Sequence, residues 1–432
     1  ESIENPEKSE FERRRVYPTG DLFGHITGFF SFKYGSSGVE RTYDDELTGS
    51  TLNQQIQSFR DLLVNKEVVG NVKLTVRRDL QQLARDQLGD RQGSVVVLDP
   101  RTGALLAFWS NPSFDPNLLS ETDQEKVTAN WELLNALPGR PMRAHQYQDR
   151  YFPGSTFKIV TAGTGLQTGK VTNDQPVYPS VTSYLPPQTN RPIANFGGSV
   201  CGGPLPVILR RSCNSSFAEM GQATIGPEDM VKGAHSFGFN QDVPIDLPAP
   251  APSSFPKLEE VIKNPPKLAQ ASIGQNDVQA TPLQMALVAA AVANGGVIMK
   301  PHVMSEVSDS EGNLVARYEP EQWLRPLDPQ HAATLREAMY GVVSPAGTAP
   351  NAAIPGFEVG GKTGTAQLGD GDRLHTWFVA FAGPPGQPPT VAVAVVVLNV
   401  PNQGNESTGG AVAAPIARVV MERTLAIQAG GS

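Results

Sequence analysis

Apolar and polar positions along the chain predict strands at both ends of a long region and helices between them. Residues 94–98 form a strand-length apolar run, and residues 104–109 form a second one after a turn that contains Pro100 and Gly103. Nearer the C-terminus, three further strands are predicted over residues 357–367, 375–381 and 390–398. Because short connections join these last three strands, we expect them to be antiparallel neighbours.

The middle of the chain has the spacing of helices. Residues 155–167 and 281–293 each predict a helix, the second with Pro282 just inside its start. Leucines within residues 74–88 also recur at helical spacing. A Pro-rich stretch, residues 244–256, predicts a surface loop. Strands on both sides of a helical middle, with residues 411–426 as a closing helix, indicate the α+β class: one antiparallel sheet and a helical lobe.

The first seventy or so residues differ from the rest of the chain. They mix short apolar stretches, residues 24–34 and 47–63, with glycine and polar turns, which predicts a small irregular module. The chain has 432 residues, enough for two domains. We therefore predict a small non-catalytic N-terminal module over residues 1–73 and a larger domain over residues 74–432.

Charge and hydropathy restrict the possible partners and location. The net charge of -8 argues against nucleic acid, because a nucleic-acid-binding face is basic. No apolar run reaches the roughly 18 residues of a membrane-spanning helix, and the residues after Glu1 do not resemble a signal peptide. Either the protein is cytoplasmic or an N-terminal membrane anchor is absent from this sequence. The chemistry described below favours an anchored protein on the extracytoplasmic face of a bacterial plasma membrane. No metal or cofactor is predicted.

Ser155 and Lys158 form the first of three motifs that carry chemistry. Gly154 precedes the serine and a helical pattern follows it, so Ser155 should lie at a helix N-terminus, where developing negative charge is favoured. Residues three apart share a helix face, so Lys158 can reach the serine oxygen. A lysine activates a serine only if burial or a neighbouring cation lowers its pKa. A capping serine beside a solvent-exposed lysine is the alternative interpretation.

Ser212 and Asn214 flank Cys213 in the second motif. In an extended or turn segment, residues two apart point the same way, so a hydroxyl and an amide can face one cleft. The hydroxyl would relay a proton, and the amide would hold a substrate peptide bond. Cys213 and Cys201 are the two cysteines of the sequence. Their spacing allows a disulfide that would add on the order of 3 kcal/mol of stability. Two free, buried thiols are the alternative.

Lys362 lies in the third motif, within the first of the three C-terminal strands. Glycines around it, including Gly364, predict close approach of another backbone, which we interpret as a peptide substrate along the strand. Lys362 would lower the pKa of Lys158 by repulsion. Thr363 and Thr365 would bind a substrate carboxylate. A kinked strand with a surface lysine is the alternative.

The order of the three motifs suits a serine enzyme that is acylated by a peptide. The first motif supplies nucleophile and base, the second a relay and the third another cation. The backbone N–H groups of Ser155 and Thr365 would form an oxyanion hole for the tetrahedral intermediate.

This ordered trio resembles the motifs of class B penicillin-binding proteins, which are peptidoglycan D,D-transpeptidases. The resemblance extends over residues 99–107, 114–117, 151–158, 273–275, 281–285, 293–296, 361–366 and 377–378. Residues 28–34 and 38–41 resemble the N-terminal modules of the actinobacterial penicillin-binding protein A group. The resemblance implies a transpeptidase domain with a five-stranded antiparallel sheet, helices and an all-helical lobe, together with a small N-terminal module.

By this resemblance, Ser155 would be acylated by the D-Ala-D-Ala end of a stem peptide, and D-alanine would leave. Lys158 would be the general base, and Ser212 with Lys362 would carry the proton to the leaving amine. Asn214 would bind the donor backbone, and the amine of a second stem peptide would accept the acyl group. β-Lactam antibiotics would mimic the donor. Expected partners are a membrane-embedded cell-wall glycosyltransferase or divisome proteins, with a role in cell division or cell shape.

Three other functions share this fold and nucleophile. A D,D-carboxypeptidase would use water as the acceptor. A β-lactamase needs a deacylating base, and no carboxylate loop motif of that kind is found in the sequence. A non-catalytic β-lactam sensor would keep the pocket and lack turnover.

Overall fold

A five-stranded antiparallel sheet is the centre of the structure, a computed structural model that describes residues 1–5, 13–48, 70–368 and 372–430. Its strands are β1 (Gly93–Leu98), β2 (Leu105–Asn111), β3 (Glu358–Leu368), β4 (Arg373–Gly383) and β5 (Val391–Pro401). The spatial order is β3-β4-β5-β1-β2, and each neighbouring pair is antiparallel. The predicted five-stranded sheet is therefore confirmed.

Helices cover both faces of this sheet, which explains why its central strands are continuous apolar runs. The principal helices are α1 (Arg78–Leu88), α2 (Lys158–Gln167), α3 (Leu205–Arg211), α4 (Asn214–Glu219), α5 (Pro282–Ala293), α6 (Pro329–Val343) and α7 (Gly409–Gln428). α5 packs against β4 and β5, and α7 packs against the same two strands. The sequence predicted α2, α5 and α7 close to their observed bounds.

Shorter elements complete the fold. The other helices are Gly24–Thr27, Gly38–Thr42, Asp44–Leu47, Gln124–Ala136, His145–Gln148, Met220–Ile225 (a π-helix), Pro227–Ser236, Leu258–Val261 and Pro265–Ala271. Small antiparallel pairs join Ser2–Glu4 with Arg13–Arg15, Phe30–Ser31 with Gly35–Ser36, Tyr178–Val181 with Cys201–Gly203, Ser183–Tyr184 with Ile193–Ala194, and Ile298–Met299 with Gln322–Leu324. Within the described ranges, no helix has the length and hydropathy needed to span a bilayer.

The helix predicted over residues 74–88 begins later than expected. Asn71–Leu74 is instead a strand that pairs with Met304–Ser308, which pairs in turn with Leu314–Arg317. The chain turns at Arg77, whose backbone is extended, and α1 then begins at Arg78. The leucine spacing identified the helix, but it could not reveal a strand partner more than 200 residues away.

The N-terminal residues pack against the rest of the chain. Leu22, Ile26 and Val39 belong to the same buried apolar cluster as the central sheet. The Gln81 amide of α1 donates a hydrogen bond to the Leu22 carbonyl oxygen (3.0 Å). Most of the predicted apolar stretch 47–63 lies outside the described residues, so the division of the chain at residue 73 stays a prediction.

The Pro-rich stretch 244–256 is not simply a surface loop, and that prediction is wrong in part. Ile245, Leu247 and Phe255 are buried. The Asp246 carboxylate accepts hydrogen bonds from the backbone N–H groups of Val303 and Met304 (2.8 and 2.9 Å). The stretch forms neither helix nor strand. Its Asp246 carboxylate satisfies two backbone N–H groups of a neighbouring segment, which allows the two segments to pack together in the interior.

Candidate active site

Ser155 lies in a single 3₁₀ turn, Gly154–Phe157, that leads directly into α2. The preceding segment is fixed by contacts to distant elements. The Trp377 indole N–H of β4 donates to the Phe152 carbonyl oxygen (3.0 Å), and the Gly154 N–H donates to the Gly274 carbonyl oxygen (3.0 Å). The predicted position of the serine at the N-terminal turn of a helix is therefore observed.

Lys158, the first residue of α2, is completely buried. Its Nζ donates to the Ser212 carbonyl oxygen (2.8 Å) and to Asn214 Oδ1 (2.7 Å), and it lies 3.2 Å from Ser212 Oγ. Lys362 of β3 is also completely buried, and its Nζ donates to Ser212 Oγ (2.7 Å) and the Thr363 carbonyl oxygen (3.0 Å). The Ser212 hydroxyl thus lies between two buried amines, and neither lysine faces solvent.

Burial controls the ionisation of both amines. It lowers the pKa of Lys158 well below its ordinary value, and repulsion from Lys362 lowers it further. Burial lowers the pKa of Lys362 to about 7. Burial and repulsion by a neighbouring cation were both expected to lower the pKa of Lys158; both contribute, and burial has the larger effect. A lysine that is uncharged at neutral pH can accept a proton from a serine.

Ser212 and Asn214 reach the same cleft from a turn between two helices, which is one of the two geometries predicted. Ser212 ends α3 in the left-handed conformation (φ 58°, ψ 43°), and α4 begins two residues later at Asn214. Cys213 between them forms a disulfide with Cys201, so the alternative of two free thiols is not observed. The Asn214 amide also donates to the Ala194 carbonyl oxygen (3.0 Å), which links the motif to the short strand Ile193–Ala194.

Thr363 and Thr365 of β3 both line the cleft. The Thr363 hydroxyl is 2.8 Å from the Thr348 hydroxyl, and Thr365 Oγ1 accepts a hydrogen bond from the Gly409 N–H at the start of α7 (3.3 Å). Both threonines therefore line the cleft, and a third threonine, Thr348, contacts the Thr363 hydroxyl.

The predicted close approach of another backbone is observed at Gly364, but that backbone belongs to the protein itself. A Cβ added to Gly364 would lie 2.7 Å from the Pro153 carbonyl oxygen, in the segment that carries the nucleophile. Cβ atoms at Gly360 and Gly361 would lie 2.4 and 2.5 Å from the Phe381 and Phe378 rings. Other parts of the protein thus fill the space beside these three glycines. Gly364 is not among the described residues that line the cleft.

These residues enclose a cleft of about 320 Å³, lined by Ser155, Ser212, Asn214, Thr363 and Thr365. The sequence did not identify other lining residues: Asn195, Phe196, Ser199, Arg211, Thr348, Asn405, Thr408 and Gly410. Among these residues, only Thr408 belongs to a local sequence pattern, that of a helix cap: it precedes α7 and accepts a hydrogen bond from the Ala411 N–H. The rest reach the cleft through long-range packing.

The fold and the cleft together are those of a serine acyl-transferase, with two buried lysines that contact Ser212. Comparison with known proteins identifies the family. Residues 93–422 match the family described as the penicillin-binding protein transpeptidase domain, and residues 1–72 match the penicillin-binding protein A dimerisation domain.

Curated and solved relatives agree with this match. The chain is 37% identical over 429 residues to the peptidoglycan D,D-transpeptidase PbpA of Mycolicibacterium smegmatis, covering 96% of this chain and 85% of that protein. A ceftriaxone acyl-enzyme complex of penicillin-binding protein A from M. tuberculosis has a TM-score of 0.89 and 34% identity, covering 98% of this chain and 95% of that one. A D,D-transpeptidase domain from Eggerthella lenta has a TM-score of 0.82 and 31% identity, covering 100% and 95%.

The chain therefore belongs to the penicillin-binding protein transpeptidase family. It is a serine-type peptidoglycan D,D-transpeptidase that resembles the penicillin-binding protein A group, which confirms the prediction from the three motifs.

Proposed function

We propose that Ser155 is the nucleophile of this transpeptidase and that Lys158, Ser212 and Lys362 move its proton. The observation that carries this proposal is the position of Ser212 Oγ, 3.2 Å from Lys158 Nζ and 2.7 Å from Lys362 Nζ. Three segments that are far apart in sequence thereby form one continuous path of hydrogen bonds beside the serine that lines the cleft.

Lys158 is suited to be the general base of acylation. An uncharged lysine amine has two N–H groups and one lone pair, and the two N–H groups are used by the Ser212 carbonyl oxygen and Asn214 Oδ1. The lone pair remains for the Ser155 proton. Among the described residues no hydrogen bond joins Ser155 to Lys158, and catalytic hydrogen bonds of unliganded enzymes often form only when substrate is bound.

In the acylation step, Ser155 Oγ forms a bond to the carbonyl carbon of the penultimate D-alanine of a donor stem peptide. The C–N bond to the terminal D-alanine breaks, and the serine proton passes through Lys158 and Ser212 to the leaving amine. The backbone N–H groups of Ser155 and Thr365 would stabilise the oxyanion. Lys362, on the far side of Ser212, supplies the positive charge that holds the relay in place.

Substrate recognition is assigned to the polar groups above the lysines. Thr363 and Thr365 would donate to the terminal carboxylate of the donor, and Asn214 would hold its backbone. Gly364 would act indirectly, by letting β3 approach the nucleophile segment closely. The amine of a second stem peptide then attacks the acyl-enzyme and releases Ser155.

The test uses a soluble pentapeptide donor with an amine acceptor, analysed by liquid chromatography and mass spectrometry. We expect D-alanine and the cross-linked product to appear in equal amounts. Release of D-alanine without the cross-linked product, at saturating acceptor, would instead identify a carboxypeptidase.

We also propose that the enzyme works on the extracytoplasmic face of the plasma membrane, held by an N-terminal anchor. The disulfide between Cys201 and Cys213 supports this location, because such bonds persist in oxidising compartments. A membrane-embedded glycosyltransferase or divisome protein would be the partner, and the module of residues 1–73 would present the surface it contacts. Cross-linking in cells followed by mass spectrometry of the captured proteins tests this; capture of cytoplasmic proteins alone would contradict it.

A further inference from the structure

Arg211 is the one charged residue among the described residues that line the cleft. It is the last residue of α3, immediately before Ser212, and it is exposed. The amines of Lys158 and Lys362 are completely buried, and no aspartate or glutamate is among the described lining residues. A negatively charged group that enters the cleft therefore meets a guanidinium and no opposing carboxylate.

Most of the hydrogen-bonding capacity of the Arg211 side chain is unused. Its Nη2 donates to the Val200 carbonyl oxygen (2.8 Å), and within the described ranges the side chain has no other hydrogen bond and no ion pair. A guanidinium has five N–H donors in a planar fork, which binds a carboxylate through two parallel hydrogen bonds. The contact with Val200 holds one corner of this fork and leaves donors for a ligand.

The position of Arg211 at a helix end also has a structural explanation, because the helix dipole favours positive charge there. That explanation applies equally to Arg210, its neighbour in the last turn of α3. The Arg210 side chain packs beside Gly341 of α6 and does not line the cleft. The helix end thus accounts for a basic residue in this turn, but it does not account for a guanidinium without a carboxylate partner in the cleft wall.

The segment from Ala194 to Val200 forms the wall of the cleft beside Arg211. The Asn214 amide, which is proposed to hold the donor backbone, donates to the Ala194 carbonyl oxygen at one end of this segment (3.0 Å). Arg211 donates to Val200 at the other end. Phe196, between them in sequence, lines the cleft and is 57% exposed. This wall therefore combines an apolar ring with a cation.

The proposed binding mode of the donor carries the peptide toward this wall. Its terminal carboxylate is assigned to Thr363 and Thr365 of β3, a strand that packs against α6 and α7 and so forms a different wall. Its backbone is assigned to Asn214. The residue that precedes the two D-alanines therefore lies beyond Asn214, where its side chain meets the ring of Phe196 and the guanidinium of Arg211.

We propose that Arg211 determines specificity by pairing with a carboxylate on the side chain of the donor residue that precedes the two D-alanines. The enzyme then prefers a donor in which this carboxylate is free to one in which it is amidated. The apolar part of the same side chain lies against Phe196. The proposal rests on the proposed function, because the orientation of the donor is taken from it.

Penicillin G and carbenicillin are a matched pair of acylating agents for this test, because they differ by one carboxylate on the acyl side chain. That side chain takes the place of the donor residue before the D-alanines. Both antibiotics carry the same ring carboxylate and the same phenyl group, so contacts with Thr363, Thr365 and Phe196 contribute equally. The quantity measured is the ratio of the second-order acylation rate of carbenicillin to that of penicillin G, by competition with a fluorescent penicillin on the full chain.

In Arg211→Gln we expect this ratio to fall about tenfold, the effect of losing one charged hydrogen-bonded pair with a ligand. Arg211→Lys keeps the positive charge and should retain part of the preference for carbenicillin. High salt should lower the ratio in the wild type, because salt screens exposed charges. Arg325→Gln is the matched control: Arg325 is exposed and does not line the cleft, so its ratio should equal that of the wild type. Thermal unfolding verifies that each variant is folded.

A ratio in Arg211→Gln equal to that of the wild type overturns the proposal. Equal slowing of both antibiotics gives this result and would assign Arg211 to the ring carboxylate that they share. Pentapeptide donors with a free or an amidated carboxylate on the third residue provide the second readout. Release of D-alanine from the free acid should fall by the larger factor in Arg211→Gln, and equal factors contradict the proposal. Failure of the proposed function would appear differently, as absence of acylation by both antibiotics in the wild type.

Discussion

Lys362 Nζ donates a hydrogen bond of 2.7 Å to the hydroxyl oxygen of Ser212. The same oxygen lies 3.2 Å from Lys158 Nζ, so one hydroxyl connects two buried amines that differ in role. Because Ser212 Oγ accepts hydrogen bonds from the lysine amines, its own proton is free to pass to a leaving amine. This arrangement supports the proposed role of Ser212 as a proton relay between the two buried lysines.

Removal of this hydroxyl should slow acylation without unfolding the protein. In Ser212→Ala we expect the second-order rate of acylation by a fluorescent penicillin to fall by about 10²–10³, the usual contribution of a positioned proton-transfer group. Stopped-flow fluorescence measures it. Ser216→Ala is the control, since the Ser216 hydroxyl is buried in the first turn of α4 and has no partner among the described residues. Equal rates for Ser212→Ala and the wild type would show that no proton passes through Ser212.

Acylation should depend on pH through Lys362. Burial lowers the pKa of Lys362 to about 7, so its positive charge is present below this pH and is lost above it. We expect the acylation rate to decrease as pH rises above about 7, in measurements between pH 5.5 and 9.5 with the rate of penicillin labelling as readout.

The variant Lys362→Arg distinguishes the effect of the positive charge at this position from the effect of the side chain's shape. A guanidinium keeps its proton at all of these pH values, so the decrease on the alkaline side should disappear even if the absolute rate is lower. If the acylation rate of Lys362→Arg still decreased at alkaline pH with the midpoint of the wild type, the titrating group would be a residue other than Lys362.

Gly364 should be intolerant of a side chain. A Cβ at this position would approach the Pro153 carbonyl oxygen to 2.7 Å and Thr156 Cγ2 to 2.9 Å, so β3 and the nucleophile segment would have to separate. For Gly364→Ala we expect a loss of about 1–3 kcal/mol in the free energy of unfolding and slower acylation. Urea unfolding followed by fluorescence measures the first.

Gly341→Ala provides the comparison within a helix. Gly341 lies in α6, and an added Cβ would meet its nearest neighbour, Arg210, at 3.6 Å, which is ordinary contact. Here the exchange should stabilise by roughly 0.5–1 kcal/mol. If Gly364→Ala behaved like Gly341→Ala, the close packing of β3 on the nucleophile segment would not exist in solution.

The disulfide should stabilise the loop that carries Ser212. Its two cysteines are 12 positions apart, and the chain-entropy model gives about 3 kcal/mol for a loop of this size. We expect the double variant Cys201→Ser, Cys213→Ser to unfold at a lower temperature in calorimetry. A thiol reagent should not label the native wild-type protein before reduction. Rapid stoichiometric labelling of Cys213 would contradict the bridge.

Local sequence patterns predicted the parts of the fold that depend on nearby residues. The apolar runs of β4 and β5 and the capped start of α5 at Pro282 are strong signals, because buried strands and helix caps have characteristic residues. The start of α1 was placed too early, because Leu74 pairs with Met304 and only the folded chain brings these residues together.

The site residues that belong to short sequence motifs were likewise predictable. Ser155, Ser212 and Thr363 were each identified from a short string and lie around one cleft. Burial of Lys362 and the contact of Thr348 with Thr363 were not predictable, since they depend on how β3 packs. The glycines were interpreted as clearance for substrate, whereas the Pro153 carbonyl oxygen occupies that space at Gly364 and aromatic rings of β4 occupy it at Gly360 and Gly361.

The nucleophile assignment is tested most directly by locating the penicillin adduct. After reaction with penicillin G and digestion, mass spectrometry should find one modified peptide, with the acyl group on Ser155, and Ser155→Ala should remain unmodified while keeping its thermal unfolding transition. The control Ser236→Ala, whose hydroxyl caps a helix away from the cleft, should react like the wild type. An adduct on any other residue, or covalent labelling of Ser155→Ala, would contradict the account.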